Sequence, residues 1–434
     1  MMKNQKEILQ KLGIEALNNM QLEAQKSIVQ NPETLLLSPT GTGKTLAFLL
    51  PIIQQLQIEI QEVQCLILVP SRELAIQIEQ VCREIGSGYK VNSVYGGQAM
   101  SKDKLNLQQA PAILVGTPGR VADHLRKGSF DTRHLNFLVL DEFDKSLEIG
   151  FEEDMKEILG RINNLKNKIL TSATSEIEIP KFVGLNSVNT INFLNQARPE
   201  IEYKLVISPE KDKLQSLVET LKHIGKDSGI IFCNFRDSID RLSDFLNENK
   251  IEHACFHGGM EQKDRERALI KFRNASHQLL LATDLAARGI DIPEIRFIIH
   301  YHLPISKAEF THRNGRTARM KKDGVAYILK WGKEILPDYL PAMHVEEIVA
   351  KNEISPSIWQ TVFISGGRKD KISKGDIAGL FFRQGQLKSD ELGIIEMKQD
   401  CAFAAVHKSR VKQLIKEVDN RRLKKKKVRI YPID

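Results

Sequence analysis

Short apolar runs alternate with longer amphipathic, charged stretches along most of the chain. TLLLS, CLILVP, AILVG, FLVLDE and KILTSAT come first, then GIIFCN, HACFHG, QLLLATD, FIIHY and VAYILK. Each run is continuously apolar rather than alternating, the pattern of a strand buried on both faces, and the stretches between have helical character. The spacing therefore predicts α/β architecture with parallel sheets. The runs fall into two series. The first closes near INFLNQARPE and the second runs from EYKLVIS to about residue 355. This predicts two similar sheet domains, 1–195 and 204–355, with ligands at the strand ends and in the cleft between the domains. From Trp359 the pattern changes to strand TVFISGG, helix KGDIAGLFFRQG, strands GIIEMK and CAFAAVH, helix SRVKQLIKEVDNRRL and strand KKVRIYPI. That βαββαβ order predicts a third, RRM-like domain over 358–434.

Composition adds little to this picture. A 434-residue chain with 41% hydrophobic and 27% charged residues can give each domain its own core. The net charge of +8 leans toward a polyanionic partner without identifying one. Cys65, Cys82, Cys233, Cys255 and Cys401 form no CxxC pair and sit mostly in apolar runs, so buried thiols are expected rather than a disulfide framework or a zinc site. The N-terminal MMKNQKEILQKL lacks the apolar core of a signal peptide, and no run is long enough to span a bilayer; the reading predicts a cytoplasmic protein.

Chemistry enters at SPTGTGKT, directly after TLLL. The residues Ser38, Pro39, Thr40, Gly41, Thr42, Gly43, Lys44 and Thr45 resemble a P-loop with serine at the usual first glycine. Its amides and the following helix N-terminus suit phosphate oxygens, Lys44 the β- and γ-phosphates, and Thr45 a magnesium ion. DEFD follows the strand FLVL. A carboxylate pair at a strand end beside a P-loop predicts Asp141 as a magnesium ligand and Glu142 as the group that polarises the attacking water.

The ordered set of motifs resembles the DEAD-box RNA helicases over about residues 10–340: PSRELA, Gly96–Gly97, TPGR, DEFD, SAT, IIFCNF, HGGMEQKDR, ATDLAARGID and HRNGRTAR. The resemblance implies two RecA-like domains, ATP as the nucleotide, magnesium, and RNA as the partner. In GIEALNNMQ it implies that Gln21 reads adenine, for which an amide that both donates and accepts is suited. It implies Arg316 and Arg319 as arginine fingers, Arg313 as a partner of the DEFD carboxylates, and Asp291 with Gly289 at the ribose. Asp144, Ser172, Thr174 and Arg313 would couple hydrolysis to strand separation. RNA contacts would come from Arg72, Gly97, Thr117, Pro118, Gly119, Arg120, Gly259, Arg265 and Thr283, a set suited to sugar–phosphate and blind to sequence.

The chain departs from the family at two places. Phe143 replaces the small third residue of DEAD, so its ring must find room near the magnesium or turn into the core; Phe235 stands where threonine is frequent. The third segment resembles the RNA-binding domain of DbpA-type bacterial DEAD-box proteins, most specifically over GGRKDKISKGDI. Its basic tail, including Lys424, Lys425, Lys426 and Lys427, would meet phosphates. Phe403 is left as a stacking aromatic, with Cys401 where another would stand. The resemblance implies structured RNA of the large ribosomal subunit as the target, and hence a role in ribosome biogenesis. The alternative is an ATP-gated RNA clamp or scaffold with little unwinding.

Overall fold

The computed structural model describes residues 5–163, 165–175, 178–195, 201–284, 295–317, 324–349, 354 and 356–433. Gly289, Asp291 and Arg319 lie outside the described residues. The chain divides near residue 198 into two units.

The first unit is a seven-stranded parallel sheet: β1 (Glu33–Leu37), β2 (Cys65–Leu68), β3 (Val91–Val94), β4 (Ile113–Gly116), β5 (Phe137–Leu140), β6 (Asn167–Ser172) and β7 (Asn189–Asn192), in the order β3-β4-β2-β5-β6-β1-β7. Side chains alternate across it. Cys65, Ile67, Ile113, Val115, Phe137 and Val139 join one core. Leu66, Leu68, Leu114, Leu138 and Leu140 join the core on the opposite face. Because both faces are covered by helices, period-2 alternation reads in the sequence as an unbroken apolar run.

The second unit opens with β8 (Ile201–Ser208), β9 (Gly229–Phe232), β10 (Ala254–Phe256), β11 (Leu279–Ala282), β12 (Phe297–His300), β13 (Gly324–Trp331) and β14 (His344–Val345). These are also parallel, in the order β10-β11-β9-β12-β13-β8-β14, the same permutation as the first sheet. The two series of apolar runs are thus topological repeats.

The second unit also contains the RRM-like sheet. Its elements are β15 (Trp359–Ile364), the helix Lys374–Arg383, β16 (Leu392–Met397), β17 (Ala402–His407), the helix Lys408–Val418, β18 (Arg422–Leu423), β19 (Lys426–Lys427) and β20 (Ile430–Pro432). The antiparallel order is β16-β17-β15-β20, over a core that includes Ile364, Phe381 and Leu414. The expected βαββαβ order holds, but the second helix ends before Leu423. Left-handed backbone at Asn420 (φ 59°) and Lys424 (φ 54°) turns the basic segment into the β18–β19 hairpin.

This small domain packs against the helix Gln262–Arg273. Ile270 meets Phe403 and Ile433. Arg273 binds Glu396 with two hydrogen bonds, 2.7 and 3.0 Å. Ser276 Oγ lies 2.6 Å from Thr361 Oγ1, and Lys408 Nζ lies 2.7 Å from Glu252.

Candidate active site and nucleic-acid interface

In a parallel sheet every motif that follows a strand emerges at the same edge. The strand order therefore lines up the motifs of the first unit. Along β3-β4-β2 the strand ends carry Gly97, TPGR and PSRELA; along β5-β6-β1 they carry DEFD, SAT and the P-loop. Two contiguous patches share one edge, one suited to phosphates of a nucleotide and the other to a polymer backbone.

The P-loop is shaped by glycines where left-handed backbone is needed, Gly41 (φ 81°) and Gly43 (φ 86°). Lys44 Nζ donates to its own loop, to the Ser38 carbonyl at 2.7 Å. Ser38 Oγ and Thr42 Oγ1 are 2.8 Å apart, and Ser38 N donates to Ser172 O at 3.0 Å, joining the loop to SAT. Gln21 is buried rather than a surface glutamine. Its Oε1 accepts from Asn18 N at 3.0 Å and its Nε2 donates to Gly43 O at 3.3 Å, so its amide is fixed against the P-loop. Asn18 Nδ2 adds a bond to Thr42 O at 3.1 Å.

Beside the loop, Asp141 is buried, and that burial, with Glu142 next to it, pushes its pKa up to about 6 against the pull of Lys44 and the Thr171 hydroxyl. A buried carboxylate near a lysine at a strand end fits a magnesium ion, which would favour its charged form. Among the described residues no cluster of three or more His, Cys, Asp or Glu side chains is placed to hold a metal. Asp141 and Thr45 are the residues that could hold the ion, together with phosphate oxygens. Glu142 has left-handed backbone, φ 48° and ψ 50°, costly for a residue with a Cβ. Thr171 braces it: its hydroxyl accepts from Glu142 N at 3.1 Å and donates to Asp141 Oδ1. Thr171 was not singled out by motif; the available signal was a hydroxyl within the apolar run KILTSAT. Phe143 is 1% exposed and turns into the core. Asp144 is also buried, which raises its pKa, with Lys145 Nζ 3.9 Å away. In SAT, Ser172 Oγ donates to Thr174 O and accepts from Thr174 N, both at 3.0 Å, closing a tight turn.

On the neighbouring patch Gly97 (φ 84°) lies under Arg72, whose Nη1 would be 2.5 Å from a Cβ at that position. Thr117 stands at the N-cap position of the helix Pro118–Arg126 without a side-chain capping hydrogen bond, and Pro118 is the first helical residue. Gly119 leaves room for Asp154, whose Oδ2 would lie 3.2 Å from an added Cβ. Arg120 is largely inward-facing, its side chain 11% exposed and paired to Asp103 at 2.7 Å.

The second unit places Gly259 after β10 and Thr283 after β11, on neighbouring strands. Arg236 lies over Gly259, where a Cβ would meet its Nη1 at 2.9 Å. Arg265 is buried with its guanidinium 5.0 Å from the Phe256 ring. Arg316 is also buried. Arg313 is held within the second unit. Its partner is Asp284, with Nε 2.7 Å from Oδ1, and it also donates to His302 O at 2.6 Å and Asn234 Oδ1 at 2.7 Å. A guanidinium 1% exposed must have its donors satisfied, and within its own unit Asp284 supplies a counter-charge. Phe235 is 64% exposed at the start of the helix Arg236–Glu248 and offers no capping hydrogen bond.

In the small domain Phe403 is 6% exposed and packed against Ile270, so it is not available to stack on a base. Of the four lysines 424–427, Lys424 pairs with Asp376 and Lys426 with Asp370; Lys425 and Lys427 are exposed.

Comparison with known proteins agrees with this arrangement. Residues 18–182 match the DEAD/DEAH box helicase family, 212–321 the helicase conserved C-terminal domain, and 361–432 the DbpA RNA binding domain. The chain is 30% identical to the ATP-dependent RNA helicase DbpA of Escherichia coli over 97% of its length and 95% of that protein's. Against the Bacillus subtilis protein of the same name the identity is 29%, covering 97% of this chain and 96% of the relative. Yeast (S. cerevisiae) Dbp5 bound to RNA and ADP BeF3 superposes with a TM-score of 0.68 at 26% identity, over 75% of this chain and 87% of that one. Mss116p bound to ssRNA and AMP-PNP gives 0.67 at 29%, over 75% and 72%. With all three family matches in order and a relative at 30% identity along nearly the whole chain, this protein belongs to the DEAD-box ATP-dependent RNA helicases, of the DbpA type.

Proposed function

We propose that the chain binds ATP with magnesium, hydrolyses it when RNA is bound, and uses the cycle to part short or structured RNA in the cytoplasm during large-ribosomal-subunit assembly. The observation that carries this reading is the order of motifs along one sheet edge: the nucleotide patch at β5-β6-β1 directly adjoins the backbone-suited patch at β3-β4-β2. Lys44 and the P-loop amides hold the phosphates, Gln21 the adenine, and Glu142 orients the attacking water. Magnesium would spread the charge developing on the transferred phosphoryl group. Arg316 and Arg319, being permanently charged and forked, stabilise that charge from the second unit, so that neither unit alone is a complete ATPase. Asp291 and Gly289 hold the ribose.

RNA contacts are assigned to Arg72, Gly97, Thr117, Pro118 and Gly119 in the first unit and to Gly259, Arg265 and Thr283 in the second. Asp144, Ser172 and Thr174 couple the two patches. The small domain supplies affinity for structured ribosomal RNA through its basic hairpin; with Phe403 buried, charge and shape carry recognition rather than stacking on that ring. RNA-stimulated ATPase and duplex unwinding, measured side by side for the wild type, Lys44→Ala, Glu142→Gln and Arg316→Ala, test the reading. Each variant should lose turnover, the arginine variant by about 10³-fold or more. RNA-stimulated turnover without unwinding in the wild type would favour the clamp. RNA crosslinking in cells, mapped to sequence, tests the ribosomal target.

A further inference from the structure

Asp103 lies in the helix Met100–Leu107, outside every motif, and is fully buried. Its Oδ1 accepts from Gln98 Nε2, and its Oδ2 from Arg120 Nε at 2.7 Å and His124 Nε2 at 3.2 Å. Arg120 Nη2 also donates to Gln98 O at 2.7 Å. Burial alone would raise the pKa of Asp103, but hydrogen bonds from His124, Gln98 and Arg120 more than offset it and leave the group below its ordinary value, so the carboxylate is charged. Its partners belong to two separate loops. Gln98 immediately follows Gly97, and Arg120 closes TPGR. A phosphate could take the Nε or Nη2 of Arg120 only by stripping a buried carboxylate of its counter-charge, which is costly.

We propose that Asp103 is a positioning residue for RNA: through Arg120 and Gln98 its buried carboxylate locks the Gly97 loop to the start of the helix Pro118–Arg126. The polymer backbone then meets one preformed surface, and Arg120 serves as the strut rather than as a phosphate ligand. This inference rests on the assignment of Gly97 and Thr117 to RNA contact. Preorganisation improves affinity by removing the ordering cost from the binding step. A strut and a ligand differ in salt dependence, because only a ligand neutralises a phosphate and releases a counterion.

The test uses the full chain and a plain RNA single strand. Half-saturating RNA for ATPase stimulation, turnover at saturating RNA, nucleotide binding without RNA, the salt slope of RNA binding and the thermal midpoint are measured for Asp103→Asn, Arg120→Gln and the double variant. Asp103→Asn should raise half-saturating RNA about tenfold, with saturated turnover within about twofold and nucleotide binding unchanged, since preorganisation acts on the binding step. Arg120→Gln should give a similar rise with the salt slope unchanged, and the double variant no more than the larger single effect, as expected for groups acting as one unit. A slope flattened by about 0.7 in Arg120→Gln, or single effects that multiply in the double variant, would show a phosphate ligand and overturn the proposal. Unchanged half-saturation in folded Asp103→Asn also overturns it. Should Asp103→Asn not fold, Arg120→Gln carries the test alone: a rise in half-saturating RNA at unchanged salt slope supports the proposal, while no rise or a flattened slope overturns it. Gly97→Ala separates the two levels of inference. If it weakens RNA binding while Asp103→Asn does not, the strut fails and the contact assignment stands; if Gly97→Ala has no effect, the contact assignment itself fails.

Discussion

Thr171→Val removes one hydroxyl and keeps the shape of the side chain. That hydroxyl accepts from Glu142 N at 3.1 Å and donates to the Asp141 carboxylate, so one oxygen ties together the two acidic residues of the site. It is fully buried, and no repacking is needed to accommodate valine. A hydrogen bond to a charged group contributes about 1.5–3 kcal/mol, and leaving the Glu142 amide unpaired costs about 1–3 kcal/mol more where it is shielded from water. Stability should fall by about 2.5–6 kcal/mol on these terms. The catalytic effect has a different origin. Glu142 sits in left-handed backbone that the local chain does not favour, and Thr171 is one of the groups that hold it there. If about 1.5–3 kcal/mol of that hold is expressed in the transition state, turnover falls about 10- to 150-fold, at 1.36 kcal/mol per factor of ten. RNA-stimulated ATPase at saturating ATP and RNA is the assay, below the unfolding temperature of the variant, with ATP half-saturation measured in parallel. Turnover should fall more than ATP affinity, because the phosphates are gripped mainly by Lys44 and the P-loop. A folded Thr171→Val that turns over ATP within twofold of wild type would refute the bracing role.

Phe143→Ala should cost about 3–5 kcal/mol of stability, read as a shift in urea midpoint, because it empties a core site rather than opening the metal site; a neutral stability change would place the ring elsewhere. The second unit should lose stability on acidification. Burial foremost, with Arg313 nearby, lowers the pKa of His300 to about 3, so its contribution is present above the unfolded value near 6.5 and lost progressively as pH falls toward the folded one. His302 and His277, each lowered to about 4 mainly by burial, act in the same direction. Urea midpoints at pH 7 and pH 5 measure this, and a midpoint unchanged or higher at pH 5 contradicts it. Lys425→Ala with Lys427→Ala should flatten the salt dependence of RNA binding by about 0.7–0.9 per lost phosphate contact. Lys424→Ala and Lys426→Ala should instead loosen the hairpin, whose lysines pair with Asp376 and Asp370, detectable as a lower thermal midpoint.

The sequence alone determined the α/β class, the repeat of two parallel sheets, the RRM-like order of the third segment and the P-loop with its carboxylates. These depend on local signals: unbroken apolar runs for strands covered on both faces, and glycines and charges at fixed short spacings after them. It could not show that β6 lies between β5 and β1, and therefore that a threonine in KILTSAT braces DEFD. Neither could it show which acid answers which arginine. Arg313 finds Asp284 and Arg120 finds Asp103, because a buried guanidinium pairs with whatever carboxylate the fold carries to it. The fates of Phe143 and Phe403 were equally open in one dimension. A ring turns to core or surface according to which face of its element is covered, and only the tertiary structure puts Ile270 over Phe403 and the first unit's core around Phe143.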